Sequence, residues 1–385
     1  MSQLADVAII GVGQTVFEKK KEEQNYAEIA YEAVEKALQD AHLAIDDIDN
    51  IITVSNDFYD GRTISSMAVS DACGAAYGQG KNISTVEGDG TFGAIYGLMR
   101  ILSGAYGTTL VVSHCKSSEG EPGLITNAMY DYIYARFLGP DVHVAAAMQA
   151  RRYQEKYLIT PEQCAAVAAK NYNNACKNPL VEWDIEVSLE SVLASPLFAE
   201  PLRELDVGIF NDGACAIIMA SANRAQKSYK KPVWVKGVGY CADAYFLGDR
   251  DLAESQALKI AAQKAYDSAG IDDPFKELDV IELFDAYSYQ ELMWMEGLGL
   301  CSRGEAGSLL QNGVTSLGGS LPVNPSGGVM AAHVPMVSGL ARMLEGVLQV
   351  RGEAGEHQVE NARTVLIHGV NGLAGQSHCV WVLSE

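Results

Sequence analysis

The side chains most able to do chemistry in this sequence are a cysteine and a histidine that end two apolar runs. Cys115 follows the run Thr109–Ser113 and stands between His114 and Lys116, while His368 ends a second run. A neighbouring cation lowers the pKa of a thiol, and the thiolate is the nucleophilic form. The pattern therefore indicates a candidate nucleophile at Cys115. The alternative is that Cys115 is a small buried apolar residue, as most free cysteines are.

The composition of the chain excludes several classes of protein. The 385 residues include 28 basic and 49 acidic ones, a net charge of −21. No Lys/Arg stripe follows a predicted helix, so nucleic-acid binding is excluded. No run reaches the ~18–20 apolar residues of a membrane helix, and the first residues lack the basic region of a signal peptide. The eight cysteines include no CxxC pair, which argues against a metal site or a disulfide framework, so we expect a reducing, cytoplasmic location.

The chain reads as two copies of one α/β unit. Asp6–Gly13 (DVAIIGVG) matches Pro232–Gly239 (PVWVKGVG) as a buried strand that ends in a tight turn. An amphipathic helix and a second strand follow each copy, and a G-L-x-R-x-L-x-G helix then leads into a strand that ends at a histidine. Strands alternating with helices predict mostly parallel sheets covered by helices. We therefore predict halves at 1–225 and 226–385, with a mainly helical insertion at about 120–201.

Three further motifs carry a resemblance to a known family. They are Asn211–Ala214 (NDGA), Glu282–Tyr287 (ELFDAY), and Asn324–Gly328 (NPSGG) followed by His333. In this order they resemble the thiolase superfamily over nearly the whole chain. The nearest types are the sterol-carrier-protein-x-like thiolases, such as benzoylsuccinyl-CoA thiolase and the steroid side-chain aldolases. The resemblance implies a duplicated thiolase fold, layered α-β-α-β-α with two mixed, mainly parallel sheets. It also implies coenzyme A as a substrate and no metal in this chain.

The resemblance also implies roles for individual residues. The family's cysteine slot falls near Gly90, where no thiol lies within ten residues, so Cys115 would have to take the acyl group. His333 would stabilise an oxyanion or enolate from about 3 Å. His368 would move protons, with Cys115 and His368 approaching each other across the two-fold axis. The other implied site residues are Tyr287 and Asp285 in a polar cluster, and Gly327, Gly328, Asn371 and Gly372 for binding coenzyme A.

Three functions are compatible with these assignments; we predict the first, and the other two are its alternatives. The first is thiolysis of a bulky, possibly aromatic β-oxoacyl-CoA, with coenzyme A as the acyl acceptor. The second is retro-aldol cleavage of a β-hydroxyacyl-CoA, with Tyr287 or Asp89 as the base and no thiolate. The third is an inert thiolase-like subunit that only scaffolds an active partner.

Assembly is also implied by the resemblance. We expect a homodimer through the strand Lys81–Glu87, whose free edge could pair antiparallel with its symmetry mate. We expect a small zinc-ribbon/OB-fold protein to bind each protomer, giving a heterotetramer; the alternative is a homo-oligomer without a partner. Arg151-Arg152 and the cluster Lys227–Lys231 are the candidate groups for the phosphates of coenzyme A. Because the net charge is −21, we expect the partner to complete that site.

Overall fold

A computed structural model describes residues 3–75 and 81–385. The strands are β1 (Val7–Gln14), β2 (Asn50–Ser55), β3 (Asn82–Glu87), β4 (Thr108–Lys116), β5 (Leu197–Ala199), β6 (Leu202–Arg203), β7 (Asp212–Ser221), β8 (Val233–Ala242), β9 (Val280–Glu282), β10 (Thr364–Asn371) and β11 (Ser377–Ser384). The helices are α1 (Tyr26–Ala41), α2 (Asp57–Asp60), α3 (Ser65–Ala68), α4 (Gly90–Leu102), α5 (Pro122–Asn127), α6 (Val142–Tyr157), α7 (Pro161–Ala175), α8 (Leu189–Ala194), α9 (Ala222–Ala225), α10 (Gln256–Ala269), α11 (Pro274–Glu277), α12 (Ser288–Gly297), α13 (Ala306–Gln311) and α14 (Ser338–Arg351). Across the described residues, every helix is too short or too polar to cross a membrane.

The main sheet of the described residues is mixed, and its second half mirrors its first. Its strand order is β3-β2-β4-β7-β1-β8-β11-β10-β9, so the first strand of each half lies at the centre. Those strands, β1 and β8, are joined through the pairs Ala8–Trp234 and Ile9–Val233. The predicted α/β class and the duplication are therefore confirmed, and the two predicted sheets are connected into one.

Parallel pairing is confined to the outer strands of this sheet. It joins β2 to β3 and β4, and β9 to β10. The strands nearer the centre pair antiparallel. The predicted mainly parallel pairing therefore applies to the outer strands alone. A fully buried strand is a continuous apolar run in either direction, so the sequence pattern does not reveal its orientation.

The helices complete the five predicted layers. α1 packs on β1, β7 and β4, α10 packs on β8 and β11, and α4 and α14 lie against each other between the two halves of the sheet. Glycines allow the outer helices to approach closely. A Cβ on Gly13 would lie 2.4 Å from Ala33 O, and one on Gly239 would lie 2.0 Å from Ala261 O. The repeated Gly-Val-Gly segments thus lie inside β1 and β8, where they admit a helix, and the predicted tight turn after them is wrong.

The segment between β4 and β7 carries α5 to α8 and packs on the second half of the chain. α6 and α7 contact α12. The Tyr153 hydroxyl donates to Glu296 Oε1 at 2.7 Å, and the Tyr289 hydroxyl donates to Gln149 Oε1 at 2.8 Å. These buried bonds fix α6 against the helix that follows the Glu282–Tyr287 motif.

A buried ion pair connects α14 to the loops that surround the candidate site. Arg342 Nη1 lies 2.6 Å from Glu282 Oε2, and both side chains are at most 3% exposed. Ser326 Oγ donates to the same carboxylate oxygen at 2.7 Å. The equivalent arginine of the first half, Arg100, is half-buried and donates to Ser84 Oγ at 2.9 Å. The shared G-L-x-R motif therefore places its arginine in a buried charge pair in the second half.

Candidate active site

The N-termini of α4 and α14 meet at Asp89. This residue is the N-cap of α4, and its carboxylate accepts the backbone N–H of Thr91 at 2.9 Å. It also accepts the N–H of Gly339, in the first turn of α14, at 2.9 Å. Burial raises the pKa of Asp89 to about 6. Because helix N-termini favour a carboxylate, Asp89 holds the two helix starts together.

The cysteine slot expected near Gly90 has no room for a side chain. A Cβ on Gly90 would lie 2.5 Å from Leu340 Cβ. From the opposite side, a Cβ on Gly369 would lie 2.0 Å from Thr91 Oγ1. Both glycines let α4, α14 and β10 pack closely, so a nucleophilic side chain at this slot is sterically excluded.

Cys115 lies inside β4, and its neighbours do not activate it. Successive strand residues face opposite sides of a sheet, so His114 and Lys116 point away from the thiol. His114 Nε2 lies 3.0 Å from Asp60, and Lys116 Nζ lies 2.8 Å from Glu119. Burial raises the pKa of the Cys115 thiol. The predicted activation of this thiol by adjacent cations is therefore wrong.

His368 belongs to a different layer from Cys115. It lies within β10, and because Gly369 faces α4, the preceding histidine faces the other side of the sheet. There His368 Nε2 lies 2.9 Å from His378 Nδ1, and His378 Nε2 lies 2.9 Å from Ser255 Oγ. Cys115 packs in the core cluster that includes α4 and α14, so the predicted approach of Cys115 and His368 is wrong.

Tyr287 and His143 form a buried hydrogen-bonded pair. Tyr287 directly precedes α12, His143 lies in the first turn of α6, and the Tyr287 hydroxyl lies 3.0 Å from His143 Nδ1. Burial raises the pKa of Tyr287 and lowers the pKa of His143. At neutral pH the phenol is therefore protonated and the imidazole is neutral. In the tautomer that carries its proton on Nε2, the phenol donates to Nδ1, and the phenol oxygen can still accept a hydrogen bond.

His333 lies beside this pair. Its ring stacks on Phe210 at 5.0 Å and meets Phe284 edge-on at 5.6 Å, while Phe210 also contacts the ring of His143 at 5.9 Å. The His333 backbone N–H donates to Ile209 O at 2.7 Å, which fixes the loop. Burial, followed by the nearby His143, lowers the pKa of His333 to about 3. A neutral imidazole keeps one N–H, so His333 can donate to a carbonyl oxygen.

An apolar cavity of about 560 Å³ lies against α6 and is lined there by Val144, the residue that follows His143. Tyr130 lines it and donates its hydroxyl to Asp141 O, at the start of α6, at 2.7 Å. A second cavity of about 840 Å³ adjoins the first, because both are lined by Val144, Met148, Leu247 and Gly248. The second cavity adds three arginines (Arg151, Arg152 and Arg250) and two acidic residues (Glu200 and Asp251), so its lining carries one net positive charge. The two cavities together form an apolar chamber that continues into a basic groove.

Asp285 and two glycines hold a buried loop and do not face these cavities. The Asp285 carboxylate accepts the N–H of Val329 at 2.7 Å. A Cβ on Gly327 would lie 2.6 Å from Ala175 Cβ, and one on Gly328 would lie 2.3 Å from Asp285 Oδ1. Both glycines have positive φ, 98° and 62°. The two glycines and Asp285 therefore shape the backbone of this loop, and the coenzyme A contacts of Gly327 and Gly328 and the catalytic role of Asp285 stay predictions.

Asn371 and Gly372 lie nearer the apolar cavity. Asn371 Oδ1 accepts the N–H of Asp89 at 2.6 Å. Gly372, with φ 78°, begins the turn to β11 and precedes Leu373, which lines the cavity. Their role in binding coenzyme A stays a prediction.

Sequence reasoning missed His143. It stands 144 residues from its partner Tyr287 and belongs to the inserted segment, where no family motif guides the choice. The sequence contains one local signal, the N-cap Asp141, which indicates the start of a helix. That signal places His143 at a helix start but does not identify what it faces.

Comparisons with known proteins agree with this fold. A family model described as thiolase C-terminal domain-like matches residues 240–385. The chain is 31% identical to an acetyl-CoA acetyltransferase of Methanothermobacter thermautotrophicus over 97% of this chain and 98% of that protein. It is 32% identical to the benzoylsuccinyl-CoA thiolase subunit BbsB of Thauera aromatica over 59% of each chain. Among solved structures, the Ltp2–ChsH2(DUF35) aldolase superposes with a TM-score of 0.85 at 24% identity, covering 99% of this chain and 98% of that one.

The fold, the paired helix starts and these relatives define a thiolase-type protein. The chain belongs to the thiolase superfamily, as its motifs predict.

Proposed function

We propose that this chain cleaves the Cα–Cβ bond of a β-hydroxyacyl-CoA by a retro-aldol reaction, without a covalent enzyme intermediate. The observation that carries the proposal is the site itself: the cysteine slot is closed by Leu340, while the phenol of Tyr287 and the neutral imidazole of His333 both neighbour His143. The solved structure that superposes with a TM-score of 0.85 is also an aldolase. The apolar chamber supports a bulky acyl group.

In the proposed mechanism, two side chains act at the two ends of the breaking bond. The Tyr287 oxygen takes up the proton of the β-hydroxyl as its own phenol proton passes to a neighbouring base, and the substrate oxygen becomes that of a ketone or aldehyde as the Cα–Cβ bond breaks. The electron pair of that bond moves to the thioester enolate, and the His333 N–H donates to its oxygen. A proton then returns to Cα, giving an acyl-CoA. Atoms and charge balance without added coenzyme A.

Identifying the products formed from two substrates tests the proposed retro-aldol reaction. The chain, alone and with its partner subunit, is incubated with a β-hydroxyacyl-CoA and with the matching β-oxoacyl-CoA. Retro-aldol cleavage gives a ketone or aldehyde and an acyl-CoA from the hydroxy substrate without free coenzyme A. Cleavage of the oxo substrate alone, dependent on free coenzyme A, would instead support thiolysis.

Thiolysis of a bulky β-oxoacyl-CoA is the second candidate. It is favoured by a specific observation, the acetyl-CoA acetyltransferase that is 31% identical over 97% of this chain. In that case Cys115 would have to serve as the nucleophile, despite a thiol pKa that burial raises.

The substitution Cys115→Ala separates the two candidates. We expect kcat for the hydroxy substrate to stay within about threefold of wild type, because a buried, protonated thiol makes no contact in the proposed reaction. Cys379→Ala is the matched control, since Cys379 is also a fully buried strand cysteine. A loss above about 100-fold in Cys115→Ala alone, with an unchanged melting temperature, would identify Cys115 as the nucleophile.

The basic groove is the proposed site for the phosphates of coenzyme A. Arg152 is exposed and forms no ion pair within the described residues, whereas Arg151 pairs with Glu200 at 2.5 Å. The alternative cluster is partly neutralised, because Lys230 pairs with Asp40 at 2.7 Å and Lys231 pairs with Glu385 at 2.6 Å, and none of its lysines lines either cavity. The structure therefore favours Arg151-Arg152 over the lysine cluster.

Arg152→Ala is expected to raise the Kd for coenzyme A about 5- to 10-fold, the effect of one exposed charge-assisted contact worth about 1 kcal/mol. Lys231→Ala should leave the Kd unchanged. Isothermal titration calorimetry on both variants measures the difference. Equal affinities for the two variants would remove the groove from the proposal.

We also propose that the chain dimerises through β3 and binds a small zinc-ribbon/OB-fold subunit that completes the coenzyme A site. β3 is an edge strand with half-exposed side chains, and two relatives carry partners in their names: BbsB is a subunit, and the aldolase structure includes a DUF35 protein. Light scattering of the chain with and without the small subunit tests the proposed dimer and its complex with that subunit. A stable monomer of 41.3 kDa under both conditions contradicts the proposed assembly.

The eight free cysteines support a reducing, cytoplasmic location.

A further inference from the structure

We infer that His143 is a positioning residue that takes up, through Tyr287, the proton released by the substrate hydroxyl. His143 lies in the inserted helix α6, outside every family motif, and its Nδ1 lies 3.0 Å from the Tyr287 hydroxyl. The inference rests on the proposed retro-aldol function, because it assigns the destination of the proton that this reaction releases.

Two aromatic rings hold the imidazole in place. Phe198 meets the ring of His143 edge-on at 4.9 Å and 88°, and Phe210 does so at 5.9 Å and 77°. These contacts restrict rotation of the ring, so that Nδ1 keeps facing Tyr287. Phe210 also stacks on His333, which places one ring between the two imidazoles and keeps proton uptake separate from carbonyl binding.

The surroundings keep the imidazole neutral until the reaction delivers a proton. The groups that face His143 are Asp141 on its own helix, Tyr287 at the start of α12 and His333 on its loop. Burial lowers the pKa of His143, and Asp141 partly opposes that shift. The first turn of α6 also disfavours a cation, because it carries the positive end of the helix dipole. With the ring proton on Nε2, the Nδ1 lone pair accepts the Tyr287 hydrogen bond at neutral pH and can take up the proton of that bond.

The proton transfer balances over one turnover. As the substrate O–H bond breaks, its proton binds the Tyr287 oxygen while the phenol proton moves to His143 Nδ1. The imidazolium is transient and stays beside Asp141. The Tyr287 hydroxyl then gives its proton to the enolate carbon Cα, and His143 Nδ1 returns a proton to the Tyr287 oxygen, which restores the neutral pair. No oxidant, reductant or further reactant takes part.

His143→Gln tests proton uptake separately from hydrogen bonding. Glutamine can still accept the Tyr287 hydrogen bond but cannot hold its proton, so we expect kcat to fall at least about 100-fold while KM changes less than threefold. The acid limb of the kcat–pH profile, which in wild type reports protonation of His143, should disappear. His42→Gln, at an exposed histidine, is the control and should match wild type.

His143→Ala with added imidazole keeps the inference testable if the glutamine variant folds poorly. Imidazole and its methyl derivatives should restore activity in proportion to their basicity, which a purely structural role would not produce. Wild-type-like kcat in His143→Gln, or a rescue independent of basicity, overturns the role of His143 alone. An absence of hydroxyacyl-CoA cleavage by wild type instead overturns the proposed function, so the two failures are distinguishable.

Discussion

Tyr287→Phe is expected to lower kcat for the β-hydroxyacyl-CoA by about 100- to 10,000-fold, the usual contribution of a positioned proton-transfer group. The substitution removes the only oxygen of this side chain that can accept the substrate proton, and it leaves the ring in place. The neighbouring acceptor, His143 Nδ1, loses its 3.0 Å partner, which costs about 1–3 kcal/mol of stability.

Tyr289→Phe is the matched control for that variant. Its hydroxyl donates to Gln149 at 2.8 Å, and Gln149 keeps a second bond to Ala374 O at 3.0 Å. We therefore expect a change in kcat of less than about threefold. Steady-state kinetics on the active assembly measures both variants, and a Tyr287→Phe enzyme that matches Tyr289→Phe would exclude the phenol from the reaction.

Arg342→Met is expected to destabilise the chain by about 3–5 kcal/mol, because it leaves the carboxylate of Glu282 buried without its cation. Glu282 Oε2 lies 2.6 Å from the guanidinium, and both groups are shielded from water. The same carboxylate accepts a hydrogen bond from Ser326, which lies at the start of the loop that leads to His333. We therefore expect the loop that leads to His333 to loosen as well.

Arg100→Met provides the matched control from the other copy of the motif. Arg100 is half-buried and its partner is the hydroxyl of Ser84, so its loss should cost less than about 1 kcal/mol. The double variant Arg342→Met/Glu282→Gln should recover part of the lost stability, because it removes the unpaired charge. Urea unfolding measures all three free energies. Equal losses in the two single variants would contradict the buried pair.

Patterns that repeat along the chain predicted most of the fold. The matched Gly-Val-Gly segments and G-L-x-R helices indicate the duplication, which the mirrored strand order confirms. The sequence does not predict strand direction, because a buried strand is an apolar run whether it pairs parallel or antiparallel. The ends of strands were not accessible either. β4 continues through Lys116, and this extension places Cys115 inside a strand whose adjacent residues face the other way.

The candidate site was only partly predictable, for a related reason. Motifs near His333 and Tyr287 identified those residues, because the loops that carry them are continuous in sequence. The family resemblance assigns Gly327 and Gly328 to coenzyme A, whereas in the structure both glycines form backbone turns with positive φ. His143 comes from an inserted helix, and only tertiary packing brings it to Tyr287. Contacts of this separation leave no trace in one sequence.

Mass spectrometry of the acid-quenched enzyme tests the central claim most directly. The protein is mixed with a β-hydroxyacyl-CoA or a β-oxoacyl-CoA, stopped during turnover, digested and mapped over its eight cysteines. A reaction without a covalent intermediate predicts free ketone or aldehyde from the hydroxy substrate and no acyl group on any cysteine peptide. An acyl adduct on Cys115 that forms and decays at the rate of turnover would contradict it.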